Sequence, residues 1–353
     1  MRRRALLGTL GIGLAAGCAG SSQPAPPVTS SATTATESTT EESTDATPAT
    51  QTGDETPHLG VSLTPQSYDP DDFTDFFELV SESDLAVRWA GDWAELGDEA
   101  GTPAIVSQLV DSYDILPIFD TGVYSVNDRE LFRPLDDDAI ENYVADAQSF
   151  AEQFTPPYLG LGVEVNIHAT EEPAQFERFV SLFDEAYDAI KAVSPETKVY
   201  TTFQQEWFLG LRGGLFGGEN DPETAQWDLL STFEKADLVG LTSYPSLAFR
   251  DPSEIPATYY TEFAERAGKP LALVETGWPA HLDIDGWEST ETEQANFVTR
   301  LFDLLSDVEV ALVLWAFVYQ PASVNPAFDT MALRRDDGSA RPAWDAWVQS
   351  TDN

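Results

Sequence analysis

Two glutamates sit where apolar runs of the sequence give out. Glu164 falls in "YLGLGVEVN" (residues 158–166) and Glu275 in "LALVETGWPA" (residues 271–280). Runs of this kind form buried strands, where an unpaired carboxylate costs several kcal/mol, so a carboxyl kept there needs a partner or a task. One task needs two of them. Cleavage of a glycosidic bond takes one carboxylic acid to protonate the leaving oxygen and a second carboxylate to attack or stabilise the anomeric carbon. The two glutamates are far apart in the chain, so only the fold can bring them together.

The elements that must do so recur along the chain: an apolar strand, polar residues at its C-terminal end, then a longer amphipathic or acidic stretch. Strands are expected at residues 59–63, 85–90, 115–120, 158–166, 198–203, 237–244, 271–276 and 310–317. Helices are expected at 71–83, 138–154, 174–193 and 290–306, with apolar residues spaced three and four apart in the second and third. Eight alternating units with no proline- or glycine-rich linker between them predict one domain over residues 58–353, a single (β/α)8 TIM barrel. The stretch "RPAWDAWVQS" predicts a closing helix that packs Trp344 and Trp347 on the barrel exterior.

Active sites of such barrels lie on the loops after the strand C-termini. The expected strand ends present Arg88 and Trp89, Asp120, Glu164 and Asn166, Gln204 to Trp207, Tyr244, Glu275 and Trp278, and Trp315 with Tyr319. On "GLGVEVN", "VGLTSYP", "VETGWP" and "VLWAF", in this order and on these strands, the chain resembles the clan A glycoside hydrolases, retaining barrels with glutamates at the ends of strands four and seven. The nearest types are the endo-β-1,4-galactanases, by "GLGVEVN" and "GSARPAW", and the β-1,3-glucanases, by "VETGWP". The resemblance implies Glu164 as acid/base and Glu275 as nucleophile, with Arg88 orienting the nucleophile, Tyr244 donating to it and Trp315 as the platform under the sugar. Trp89 and Trp278 join the expected substrate-binding set. The clan's asparagine before the acid/base, which bonds the substrate 2-hydroxyl, is here Val163; Asn166, on the same face as Glu164 if the strand persists, is the expected substitute.

Other chemistries lack their residues. His58, His168 and His281 are dispersed, and Cys18 is the sole cysteine, so no metal motif and no cofactor is expected. There is no G-x-S-x-G elbow, no Rossmann glycine spacing and no phosphate loop; the glycine-rich "FLGLRGGLFGGEN" (208–220) is expected as a cleft loop.

Acidic residues outnumber basic ones 61 to 18, for a net charge of -43. Such a surface repels nucleic acid, and the scatter of the acids resembles proteins of salt-loving archaea, whose self-repulsion is screened by high ionic strength. Residues 1–18, with Arg2, Arg3 and Arg4 ahead of "LAAGC", resemble a twin-arginine lipoprotein signal; residues 19–57 form a Thr/Ser/Pro/Glu-rich tether with no aromatic residue. The expected partners are a carbohydrate and, through a lipid on Cys18, the extracellular face of the membrane, with the barrel as a monomer. Two other readings stay open: a catalytically inactive glycan-binding barrel, and a solute-binding lipoprotein of a transporter.

Overall fold

The strand candidates are apolar on both faces because both faces are covered. The computed structural model describes residues 56–125, 128–321 and 325–352; the signal, Cys18 and all but the last two residues of the tether lie outside them. The strands are β1 (His58–Ser62), β2 (Ala86–Asp92), β3 (Pro117–Gly122), β4 (Tyr158–Leu161), β5 (Lys198–Gln204), β6 (Leu238–Ser243), β7 (Leu271–Thr276) and β8 (Val310–Trp315). All pair in parallel with their sequence neighbours, and β1 closes the ring by pairing with both β2 (Gly60 with Ala86) and β8 (Gly60 with Leu314). The (β/α)8 barrel expected from the sequence is the fold.

Alternation along each strand sorts the side chains into two layers. Ala86, Ile118, Tyr200, Leu238, Ala272, Val274, Leu312 and Leu314 fill the lumen. Their neighbours Val87, Phe119, Leu159, Val199, Leu241, Leu273 and Val313 face outward and pack with helix residues such as Phe76, Phe150, Phe179, Phe183 and Phe297. The helix Asp137–Phe154 is capped by Asp136, whose carboxylate accepts from the Ala139 N–H at 2.9 Å. The closing helix, Pro342–Gln349, buries Trp347 completely against Trp315 and Phe302.

Two differences from expectation matter for the site. The helix Thr102–Tyr113 is not among the helices named from the sequence; its Pro103 lies in the first helical turn, where no N–H partner is needed and proline is tolerated. More important, β4 does not run to residue 166. It stops at Leu161, Gly162 and Glu164 turn to positive φ (82° and 52°), and a helix, Val165–Glu171, follows at once.

Candidate active site

Glu275 reaches the barrel mouth because β7 carries an extra residue. Leu273 pairs with Leu241, but the next pairing on β6 joins Thr242 to Glu275, and on the β8 side Val313 pairs with Leu273 and Trp315 with Thr276. The bulge keeps Val274 in the lumen and still brings Glu275 level with Thr242. Its Oε1 accepts from Arg88 Nη1 at 2.6 Å and its Oε2 from the Tyr244 hydroxyl at 2.7 Å. Arg88 also bonds Asp120 through Nε. Asp120 fits because β4 has a glycine beside it: a Cβ on Gly160 would lie 1.8 Å from Asp120 Oδ1. Burial opposes the guanidinium's charge, but Asp120 and Glu275 outweigh it and hold the Arg88 pKa above its ordinary value. Burial, then the charge of Glu275, pushes the Tyr244 phenol well above its usual range, so it stays a donor.

Glu164 arrives by a turn that L-residues avoid. At Gly162 a Cβ would lie 2.4 Å from the Phe179 ring, and its φ of 82° suits glycine alone. Glu164 itself is left-handed, a strained state that clusters at functional sites, and is held by its own N–H, donated to Thr202 Oγ1 at 2.8 Å. Its carboxyl is fully buried. Oε1 accepts from Thr242 Oγ1 at 2.6 Å, and Oε2 has no partner among the described residues. Burial, reinforced by the nearby charge of Glu275, holds its pKa well above the usual carboxylate range, against the pull of the Thr242 bond. Thr242 thus joins the pair: it is Glu275's neighbour across one strand spacing, about 4.8 Å, and Glu164's hydrogen-bond donor.

A third buried glutamate stands at the end of β5. Glu206 Oε1 accepts from Tyr259 at 2.6 Å and Ser243 at 3.0 Å, and Oε2 from Gln204 Nε2 at 2.5 Å. Burial raises its pKa, and these donors draw it partly back.

No protein-family model matches the chain, and no curated sequence does either. Solved structures do. An exo-β-1,4-mannosidase from Opitutaceae bacterium strain TAV5 superposes with a TM-score of 0.62 at 15% identity, over 84% of this chain and 59% of that one. GH5_18 from Streptomyces cattleya, in complex with Manβ1-4GlcNAc, gives 0.64 at 16% identity, over 84% and 80%. Fungal β-1,4-galactanases give 0.57 at 14% identity, over 83% and 99%. What the chain shares with these glycoside hydrolases at this identity is the fold. The chain spans under two thirds of the length of the mannosidase and of a family 39 glycoside hydrolase from Bacteroides cellulosilyticus WH2, 59% and 63%.

Within this barrel Glu164, Glu275, Arg88 and Tyr244 come together around the mouth, and four other expectations fare differently. Asn166 is not on the Glu164 face: its Nδ2 donates to the Gln204 carbonyl and Gln226 Oε1, and its Oδ1 accepts from the Gln204 N–H. It ties the new helix to β5 and has no bond left for a sugar. Trp315 faces outward onto Trp347 and Phe297, its indole N–H held by the Met331 carbonyl at 2.9 Å, so it cannot be the platform under a sugar. Trp278 is likewise in the outer core, tilted against Phe297 at 5.3 Å with its N–H on Ser289 Oγ at 3.0 Å. Trp89 also points outward, but its ring lines a cavity of about 260 Å³ that runs from Tyr68 and Gln320 past Ser62 to Arg88.

Thr242 was missing from the sequence-derived site, although it is two residues before Tyr244 and so shares its face, and Asp120 stood there only as a strand end without a role. An apolar cluster of Leu247, Phe317, Phe328 and Met331 packs with Tyr244, Phe328 lying edge-on to its ring at 4.9 Å. Glu164 and Glu275 are 0% and 1% exposed. Among the described residues no group of histidine, cysteine or acid side chains could hold a metal ion.

Proposed function

We propose that the chain is a retaining glycoside hydrolase acting on a polysaccharide or oligosaccharide, with Glu275 as nucleophile and Glu164 as acid/base. One observation carries this reading: two carboxyls meet at Thr242 in opposite settings, one paired with a guanidinium and a phenol, the other buried with a single neutral donor and one free oxygen. Glu164 enters protonated and delivers its proton to the leaving oxygen as Glu275 attacks the anomeric carbon. It then takes a proton from the water that releases the sugar. Arg88 and Tyr244 fix the attacking oxygens. The cavity beside Trp89 is the route by which substrate reaches Arg88, and the groups that bury the two carboxyls must shift to admit the reacting sugar.

In this reading the barrel works outside the cell in high salt, tethered by a lipid on Cys18. The test is incubation with a slow 2-fluoro glycoside in molar salt and mass spectrometry of the adduct. Label on the peptide carrying Glu275, with retained stereochemistry in the product, supports the assignment; inverted product, or label elsewhere, removes it. The burial of both carboxyls and Val163 at the 2-hydroxyl position favour a second reading, a barrel that binds glycan without cutting it. Glycan binding with no adduct and no reducing ends would select that one.

A further inference from the structure

Two arginines on loops at the barrel mouth, each laid on a tryptophan, lack the acid or carbonyl partner that the other ring-stacked cations have. Six cation–ring contacts are present among the described residues. In four, the cation also bonds an acid or a carbonyl: Arg133 with Asp92, Lys191 with Asp237, Arg266 with Glu262 and Arg334 with the Gly338 carbonyl. The other two have no side-chain partner of this kind. Arg212 lies over Trp207 at 4.0 Å and Arg250 over Trp287 at 5.5 Å.

Both sit on loops at the C-terminal end of the barrel. Trp207 and Arg212 follow β5, Arg250 follows β6, and Trp287 follows β7. The glycine-rich loop joins them: a Cβ on Gly214 would lie 2.6 Å from the Trp287 ring and 2.4 Å from the Leu247 carbonyl. Two donors in the first pair are buried without an acceptor, Arg212 Nε and Trp207 Nε1. Single unmet donors of these kinds also occur at Trp93, Trp347, Arg300, Arg334 and Arg341, but among the described cation–ring pairs only this one leaves both partners unmet, an acceptor position that a ligand can fill. Asp221 and Glu171 are close enough to bear on Arg212, yet neither forms an ion pair with it. Four described arginines have no acid partner; Arg300 and Arg334 bond carbonyls instead, and the side chains of Arg212 and Arg250 have neither, a departure that needs a cause in a chain with 61 acidic residues.

We propose that this side of the mouth binds a glycan bearing anionic groups, uronate carboxylates or sulfate esters, with Arg212 on Trp207 and Arg250 on Trp287 as two anion-recognising subsites. The inference rests on the carbohydrate reading above and gives it a substrate class. A guanidinium laid on an indole keeps its N–H edge free for two parallel bonds to a carboxylate or sulfate, and the indole supplies a surface for the sugar ring. The rest of the acidic surface repels an anionic chain, so recognition concentrates at these two points.

The test is calorimetric binding in about 1 M KCl, where long-range attraction is screened and contact pairs persist. The probes are oligogalacturonate, a sulfated galactan oligosaccharide, and neutral galactan and laminarin oligosaccharides, run against the wild type, Arg212→Gln, Arg250→Gln, the double variant and Arg212→Lys. The expected result is tighter binding of an anionic probe than of any neutral one. Each glutamine variant should lose about 10-fold, the worth of one charge-assisted bond, with unchanged neutral binding and unchanged Tm. Arg212→Lys should keep part of the affinity. Whether the carboxylate or the sulfate probe binds names the anion. Equal binding of charged and neutral probes, no binding of any, or an unaffected double variant overturns the proposal. Reducing-end assays on the same probes separate the two readings: anionic binding without cleavage removes the hydrolase and leaves this inference, whereas cleavage of neutral chains with indifference to charge does the reverse.

Discussion

Glu164 and Glu206 are the same residue type, each placed just past the end of a barrel strand and each completely buried, yet their surroundings differ in kind. Around Glu206 both oxygens accept, from Tyr259, Ser243 and Gln204, and the backbone is regular. Around Glu164 one threonine donates, one oxygen is bare, and the backbone is left-handed. The saturated carboxyl holds the ends of β5 and β6 and the loop at Tyr259 in register. The unsaturated one is tied only to Thr242, sits on a strained backbone and leaves its second oxygen bare. A buried polar group left unmet in a native fold marks function more reliably than burial or charge alone.

Substitution should separate the two. The largest effect belongs to Glu164→Ala, with natural-glycan turnover falling by about 10²-fold or more, while an aryl glycoside with a good leaving group loses much less in its first step because it needs little protonation. Azide should speed the second step and be captured as a glycosyl azide. Equal losses on both substrates would dissolve the contrast with Glu206. Next comes Glu206→Ala, which leaves three donors unmet in the interior and should cost about 3 kcal/mol of stability in urea unfolding, with the kcat of the surviving folded protein within about 3-fold of wild type. A collapse of kcat at unchanged stability would make Glu206 part of the chemistry. A smaller loss, about 1 kcal/mol, is expected of Glu206→Gln, which keeps an acceptor but sets an amide against donors.

How much of this was legible beforehand follows the same physics. Strand ends are easy to find where an apolar run stops at a charged residue, which is why Glu164, Glu275, Arg88 and Tyr244 stand out in the sequence and do meet at the mouth. The direction of each side chain is harder. Strands buried on both faces, such as "VALVLW", are apolar throughout and carry no alternation to set their phase, so nothing marks Trp315 as outward. The bulge in β7 and the turn at Gly162 each break the period of two, and they strand Trp278 and Asn166 on the wrong side of a count that runs straight through. Thr242 was within reach, since β6 is regular up to Tyr244. The pairing of Arg212 with Trp207 and of Arg250 with Trp287 depends on loop contacts that no periodicity foretells.

The last prediction is the most direct reading of the bare oxygen. Burial and the nearby charge of Glu275 raise the folded-state pKa of Glu164 above the unfolded value, about 4.3. Between those two pH values the folded protein holds a proton that the unfolded chain has released, so stability falls as pH rises. The contribution of Glu164 is complete below the unfolded value and lost as pH climbs through the folded one. Glu164→Gln keeps an acceptor for Thr242 and has no charge to bury, so it should melt above the wild type at neutral pH and near it at pH 4. Taking the difference in Tm between the two proteins cancels what the other acids contribute to both and leaves the slope of Glu164 alone, about 1.4 kcal/mol for each unit by which its pKa is displaced. The same difference for Glu206→Gln should be negative throughout, because there the lost bonds outweigh the removed charge. A flat difference for Glu164→Gln between pH 4 and 8 would mean that its carboxyl is no more perturbed than an ordinary one, and would leave Glu164 without the proton that the acid step requires.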